Sequence, residues 1–297
     1  MQDPKLGYLT LPSQYRTAAP SSAPLESGRG GPSSTLPRRS RNAILAQLPQ
    51  EEYAALARHL VPVAMPLGFA VSEPNQPIEF IYFLESGLIS TDALSRAGEQ
   101  IEVGVIGREG FSGLPALLGQ PQMSHAVAVQ GRGEALRIRS SIVHAEFLKG
   151  GTLQRLVHSF LYLQLVQITQ SILCNRMHEV EQRLARWLLT SADRSESNTL
   201  DLTQEFLSQM LGVQRSTVTV AAGQLQRQGL IRYTRGRIHL LDRDGLARTA
   251  CECYTSVAES YGRLLRHDEK GALRYIQPHD IQPHVIQPHD AAPDYTE

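Results

Sequence analysis

The stretch from Leu200 to Asp242, LDLTQEFLSQMLGVQRSTVTVAAGQLQRQGLIRYTRGRIHLLD, constrains the chain more than any other. Leu207, Leu211 and Val213, with the small Ser208 among them, recur at helical spacing around Gly212, and a second helical pattern runs through Val218, Ala221 and Leu225. Two helices must meet at a tight corner, where Gly212 supplies positive φ and Ser208 and Ala221 let the two backbones pass closely. This is the pattern of a helix-turn-helix, whose second helix lies in a DNA major groove with its first residues at base edges.

The outward face of that second helix carries Gln214, Arg215, Ser216, Thr219 and Val220. An arginine there can pair in a bidentate way with guanine, Ser and Thr can serve donor or acceptor edges, and Val220 can touch a thymine methyl. Beyond it, IRYTRGRIHLL places two short apolar or β-branched runs around Arg235-Gly236-Arg237, a hairpin turn signal that predicts a wing beside the reading helix. Residues 203–243 hold six arginines against Glu205 and Asp242, a net +4 in a chain whose formal charge is zero. Local basicity of this kind is the footprint of phosphate binding, with Arg235 and Arg237 as wing contacts.

LTQEFLSQMLGVQRSTVTVAAGQLQRQGLI, with RGRI following and RLARWLL preceding, resembles the winged helix-turn-helix of the Crp/Fnr family of bacterial transcription regulators. The resemblance covers about residues 42–265. Arg215 matches an arginine that reads bases in the catabolite-activator pattern, whereas Ser216 and Val220 stand where that pattern has Glu and Arg, so a different operator is implied.

At 297 residues, 41% hydrophobic and 20% charged, the composition is that of an ordinary two-domain globular protein. The apolar stretch Phe160–Leu173 is interrupted by Gln164, Gln167 and Gln170, and the N-terminus lacks a signal-peptide core, which predicts a cytoplasmic protein without a membrane partner. Residues 1–41, rich in Pro, Ser and Gly, read as a disordered tail. Asn42–Leu60 reads as a short helix, a stop at Pro49 and a second helix. VPVAM, FIYFL, GLIST, QIEVGVI, HAVAVQ and EALRIR then read as short strands between turn clusters. Together they predict an α+β chain with an N-terminal antiparallel β-roll, or jelly roll, over residues 42–150. The resemblance makes this roll a sensor domain.

A cupin-like enzyme would need converging His and carboxylate ligands, but between residues 61 and 139 only His125 occurs, and no Gly-x-Ser-x-Gly elbow exists. The reading is therefore not an enzyme, with no catalytic residue, cofactor or metal site assigned. A helix follows, from about Thr152 to Asn175, apolar on more than one face, which predicts packing on the roll and on a second copy of itself. The dimerisation helix is set at 151–177, with Leu156, Phe160, Leu163 and Ile168 expected at the two-fold seam of a homodimer. Residues 178–266 complete the winged helix-turn-helix domain, including a continuous C-terminal helix from Asp244 to Leu265 packed on the reader. Cys251 and Cys253, two apart on that helix, diverge and read as incidental thiols. Residues 267–297, with the repeat IQPHD-IQPHV-IQPHD, read as a second disordered tail.

The resemblance also places the family's cyclic-nucleotide cassette at Gly110–Val129. Gly113 matches its glycine, but Leu114 stands where the family holds the ribose with Glu, and Ser124 where an Arg pairs the phosphate. Cyclic nucleotides should therefore bind weakly at best, and an unidentified small-molecule effector would meet Gly113, Leu114, Ser124 and His125. The chain is expected to be a sequence-specific regulator that acts as a dimer on an inverted repeat of double-stranded DNA, with RNA polymerase as a further partner. A ligand-independent or thiol-responsive regulator of the same fold is the alternative.

Overall fold

The computed structural model describes residues 40–97, 99–267 and 273–276. Most of the two predicted tails therefore lies outside the described residues. After a single 3-10 turn at Leu45–Gln47, α1 (Gln50–Ala57) begins directly behind Pro49, whose fixed φ suits the position before a helix. Eight strands follow: β1 (Val61–Met65), β2 (Ala70–Ser72), β3 (Phe80–Leu84), β4 (Leu88–Leu94), β5 (Gln100–Ile106), β6 (Phe111–Ser112), β7 (Ala126–Gly131) and β8 (Gly133–Arg139). They form two antiparallel four-stranded sheets, ordered β1-β8-β3-β6 and β2-β7-β4-β5, which is the expected roll. The very short β2 and β6 carry too few residues for a period-2 signal and were not legible. Two further elements also escaped the sequence reading: α2 (Leu114–Leu117) and α3 (Ser140–Leu148), the latter packed on β3 and β8.

The long helix α4 (Gly151–Met177) opens behind two glycines of positive φ, Gly150 and Gly151. Its first free N–H groups, of Thr152 and Leu153, donate to the Glu52 carboxylate at 3.0 and 2.8 Å, an anion placed against the positive end of the helix dipole. Leu153, Leu156, Val157, Phe160 and Leu163 enter the core of the roll, where the Phe160 ring lies 5.0 Å from that of Phe111. A Cβ at Gly110 would stand 2.1 Å from the Phe160 ring, so only glycine admits it. The glutamines that interrupt the apolar run are used: Gln167 donates to the Val105 carbonyl at 2.9 Å and accepts from its N–H at 3.4 Å, completing an edge of β5.

This placement corrects the expected two-fold seam. Leu156, Phe160 and Leu163 are buried within one chain and so are not available to a partner, and Ile168 is half-buried. The apolar residues that α4 leaves exposed are Tyr162, Leu165, Ile172, Leu173 and Met177. The helix is long and apolar enough by composition to cross a bilayer, but its other face is spent on the chain's own core.

A second core belongs to the reader. α5 (Val180–Ser195) starts with a reciprocal capping box between Glu179 and Gln182. It packs with α6 (Gln204–Leu211), α7 (Arg215–Arg227) and α8 (Arg243–Thr249), beside a three-stranded sheet of β9 (Thr199–Asp201), β10 (Ile231–Thr234) and β11 (Arg237–Leu240) in the order β10-β11-β9. The predicted continuous C-terminal helix is broken instead: Ala250 is extended, Cys251 lies between helices, and α9 runs Cys253–Leu264. α9 turns its Val257 and Tyr261 into the core of the roll and its Tyr254 against the reader core, where the Tyr254 hydroxyl donates to Asp193 of α5 at 3.0 Å. Part of the second predicted tail is also ordered, because β12 (Leu265–His267) pairs with β13 (Leu273–Tyr275), and Tyr275 is buried with its hydroxyl donating to the Glu109 carbonyl at 2.7 Å.

Candidate nucleic-acid interface

Thr203 caps α6 by accepting from the Phe206 N–H at 3.1 Å, and Gly212, at φ 61°, ends it in the left-handed conformation. The N–H of Val213 then returns to the Ser208 carbonyl at 3.0 Å, closing the corner and setting the direction of α7. On α7, Val218, Ala221, Ala222 and Leu225 are buried. Gln214, Arg215, Ser216, Thr219 and Val220 are all exposed, so the structure brings the five predicted reading residues onto one open face at the start of the helix. The Thr219 hydroxyl lies 3.0 Å from both the Gln204 side-chain oxygen and the Arg215 carbonyl, which fixes its rotamer.

The wing turn is the two-residue loop Arg235-Gly236, with Thr234 opposite Arg237. Both turn residues have positive φ, 47° and 77°, the signature of a type I′ hairpin. Arg235 is exposed at the tip, whereas Arg237 donates to Asp201 of β9 at 2.8 Å. One wing cation is thus free to meet phosphate and the other is already paired.

The reader leans on the roll through α5 and α6. Gly212 faces Ile101, Phe206 packs near Ala126 and Ala128, and Trp187 donates its indole N–H to Glu102 at 2.8 Å. The other oxygen of Glu102 accepts from Gln130 at 2.7 Å, and the same Gln130 nitrogen lies 3.1 Å from the Met210 sulfur. Asp92 is the cross-strand partner of Glu102 and accepts from Ser90 at 2.8 Å. Burial pushes the Asp92 carboxyl up to about 7, and burial together with Asp92 pushes that of Glu102 up to about 8. Sequence alone offered no reason to single out this pair, since its chemistry arises from burial at a seam between domains.

Of the expected effector residues, Gly113 lines a cleft of the roll, of about 340 Å³, together with Ser112, Phe80 and Tyr82, and with Glu73 and Glu79 contributing acid. Leu114, Ser124 and His125 are not among its lining residues; Leu114 packs on the core, Ser124 is exposed, and burial lowers the His125 imidazole below its ordinary value. Neither Arg108 nor Arg132 reaches the cleft, and Arg108 is paired with Glu196. The thiols are a second correction. Cys251 and Cys253 do not diverge along a helix but meet Cys174 and His178 at the end of α4. There the Cys251 thiol, hydrogen-bonded to Cys174, is the main cause that holds the Cys174 thiol below its ordinary value.

Comparison with known proteins agrees with this geometry. A Crp-like helix-turn-helix domain model matches residues 182–249. The transcriptional regulator SdrP of Thermus thermophilus is 29% identical over 59% of this chain and 85% of that protein. A CRP-like cAMP-activated global transcriptional regulator of Mycobacterium tuberculosis is 25% identical over 71% of this chain and 97% of its own length. In fold, a regulator of the Crp/Fnr type from Eubacterium rectale superposes with a TM-score of 0.57 at 18% identity, covering 70% of this chain and 98% of that one. With roll, long helix and winged reader in the same order, the chain has the architecture of a Crp/Fnr-type DNA-binding transcription regulator, and its residues 182–249 match a Crp-like helix-turn-helix domain.

Proposed function

We propose that the chain acts as a homodimer on an inverted-repeat operator, reading bases with Gln214, Arg215, Ser216, Thr219 and Val220 and phosphate with Arg235 and Arg237. The observation that carries this is the open N-terminal face of α7 beside an arginine-tipped wing, both clear of the roll. The dimer seam is the exposed stripe of α4 through Tyr162, Leu165, Ile172, Leu173 and Met177, with Ile168 at its edge. A helix of 27 residues reaches about 40 Å, enough for a two-fold seam that spaces two reading helices one turn of DNA apart. The work is divided between a sensor based on residues 42–150, the helix 151–177, and a reader beginning at 178. Such a regulator works in the cytoplasm with RNA polymerase as a partner.

Cyclic nucleotides are expected to bind weakly at best. One relative is named as cAMP-activated, but the cleft here is lined by Glu73 and Glu79, and the arginines beside it, Arg137 and Arg139, are stacked on Phe80. An uncharged effector near Gly113, or a signal elsewhere in the chain, fits better. Selection of binding sites from random duplexes, followed by footprinting at two salt concentrations, tests the reading. A two-fold symmetric site bound by dimers is the expected result; binding without sequence preference, or by a monomer, contradicts it.

A further inference from the structure

We propose that Cys174, His178, Cys251 and Cys253 form a closed, four-coordinate site for one divalent ion of the zinc type. The ligands would be three thiolates and Nδ1 of His178. The site goes beyond the DNA-reading assignment and does not depend on it.

Geometry is the first argument. The three sulfurs and the imidazole nitrogen all lie within 4.8 Å of one another. Cys174 and Cys251 sulfurs are 3.5 Å apart, and the Cys253 sulfur is 3.4 Å from His178 Nδ1. Ligands bound at about 2.3 Å to a tetrahedral ion stand about 3.8 Å apart, so small shifts suffice. The same spacing is too tight for a multi-iron cluster, whose ligands stand on different irons. The cysteines are buried and His178 is nearly so, which leaves no open position and describes a structural rather than a catalytic site. Hard cations are excluded by the sulfur set.

The surroundings supply a second, independent argument. His178 Nε2 lies 3.1 Å from the Glu252 carboxylate, so that carboxylate holds the imidazole in the tautomer that frees Nδ1. Such a carboxylate-histidine pair behind a ligand is the usual outer support of a zinc ion. Arg183 and Arg186 are buried close enough to act on the Cys174 charge, and their Nε–H groups have no hydrogen-bond partner among the described residues. A zinc ion with three thiolates carries one net negative charge, and the three thiol protons leave to solvent on binding.

The test uses the full chain. Purified under reductant without chelator, it should contain one zinc per chain. After chelation, Co²⁺ titration should give the intense visible bands of a tetrahedral ion and a near-ultraviolet thiolate-to-metal band. The thiolate band separates this site from the tail histidines 279, 284 and 289, which offer only nitrogen. Cys253→Ser should abolish or shift it. Glu252→Gln, which leaves all four ligands in place, should lower affinity about 10- to 100-fold in competition with a chromophoric chelator. A folded wild-type chain without bound metal and without a thiolate band overturns the proposal, as does a band that persists unchanged in Cys253→Ser. Unchanged affinity in Glu252→Gln also counts against it. None of these readouts involves DNA, so a failed operator assignment leaves them standing.

Discussion

Trp187, on the first helix of the reader, donates its indole N–H to Glu102, on a strand of the roll, at 2.8 Å. This hydrogen bond crosses from roll to reader and ends on a carboxyl that burial has made hard to ionise. Trp187→Phe keeps the ring packing but leaves a buried acceptor unpaired, and should lower unfolding stability by about 1–3 kcal/mol. Urea denaturation followed by circular dichroism checks this; a loss under half a kcal/mol, on the order of a surface substitution, would count against the bond.

The same carboxyls predict an unusual pH profile. Asp92 and Glu102 have folded values near 7 and 8, above the ordinary values of about 4. The folded state therefore binds more protons than the unfolded one, and stability falls as pH rises. The contribution of the pair is complete below about pH 4, declines above it, and is lost through the folded values of 7 and 8. Glu102→Gln should flatten the upper part of this decline. Thermal melts between pH 5 and about 9 read it, and a wild-type profile that rises with pH would refute the assignment.

Base and phosphate contacts should separate by mutation. Arg215→Ala should cost about 1–3 kcal/mol on the selected site and relax preference at one base in each half-site. Arg235→Ala should weaken all duplexes alike and flatten the salt dependence. Because Arg237 is held by Asp201, Asp201→Asn should release it and raise affinity for random DNA. Equal losses on operator and random duplex in Arg215→Ala would show that this arginine reads no base.

Charges on the two faces of α4 should have opposite consequences. Leu165→Glu and Ile172→Glu place a carboxylate on exposed positions and should yield folded monomers with weakened operator binding. Phe160→Glu, fully buried against Phe111, should instead unfold the roll. Sedimentation velocity paired with circular dichroism separates these outcomes; folded dimers of Ile172→Glu would remove the seam from α4.

Much of the fold was legible because its signals are local. Gly212 between two apolar periods marks the reader's corner, and Arg235-Gly236 marks the wing, each from a few adjacent residues. The α4 seam was misplaced because Phe160 and Leu165 are equally apolar; which of them faces the roll depends on Phe111 and Gly110, far away in sequence. The thiol cluster escaped for the same reason. Cys174 and His178 are one helical turn apart, a fair hint of paired ligands, but their partners lie over seventy residues on, across the whole reader. Reading Asp244–Leu265 as one helix then turned Cys251 and Cys253 away from each other.

The return of α9 and Tyr275 into the core of the roll changes what the reader is in topological terms. It is not a terminal appendage on a stalk but an insertion, spliced into the body of the roll and α4, leaving it at His178 and rejoining it at Cys251. Those two points touch through the thiol cluster. A body attached at two adjacent points keeps little translation, and it can turn about the line joining them only by giving up its contacts with the roll at Glu102 and Ile101. In a dimer acting as proposed, any event that tightens or loosens that junction would reach both reading helices as a change of angle, with the half-site spacing as the quantity it sets.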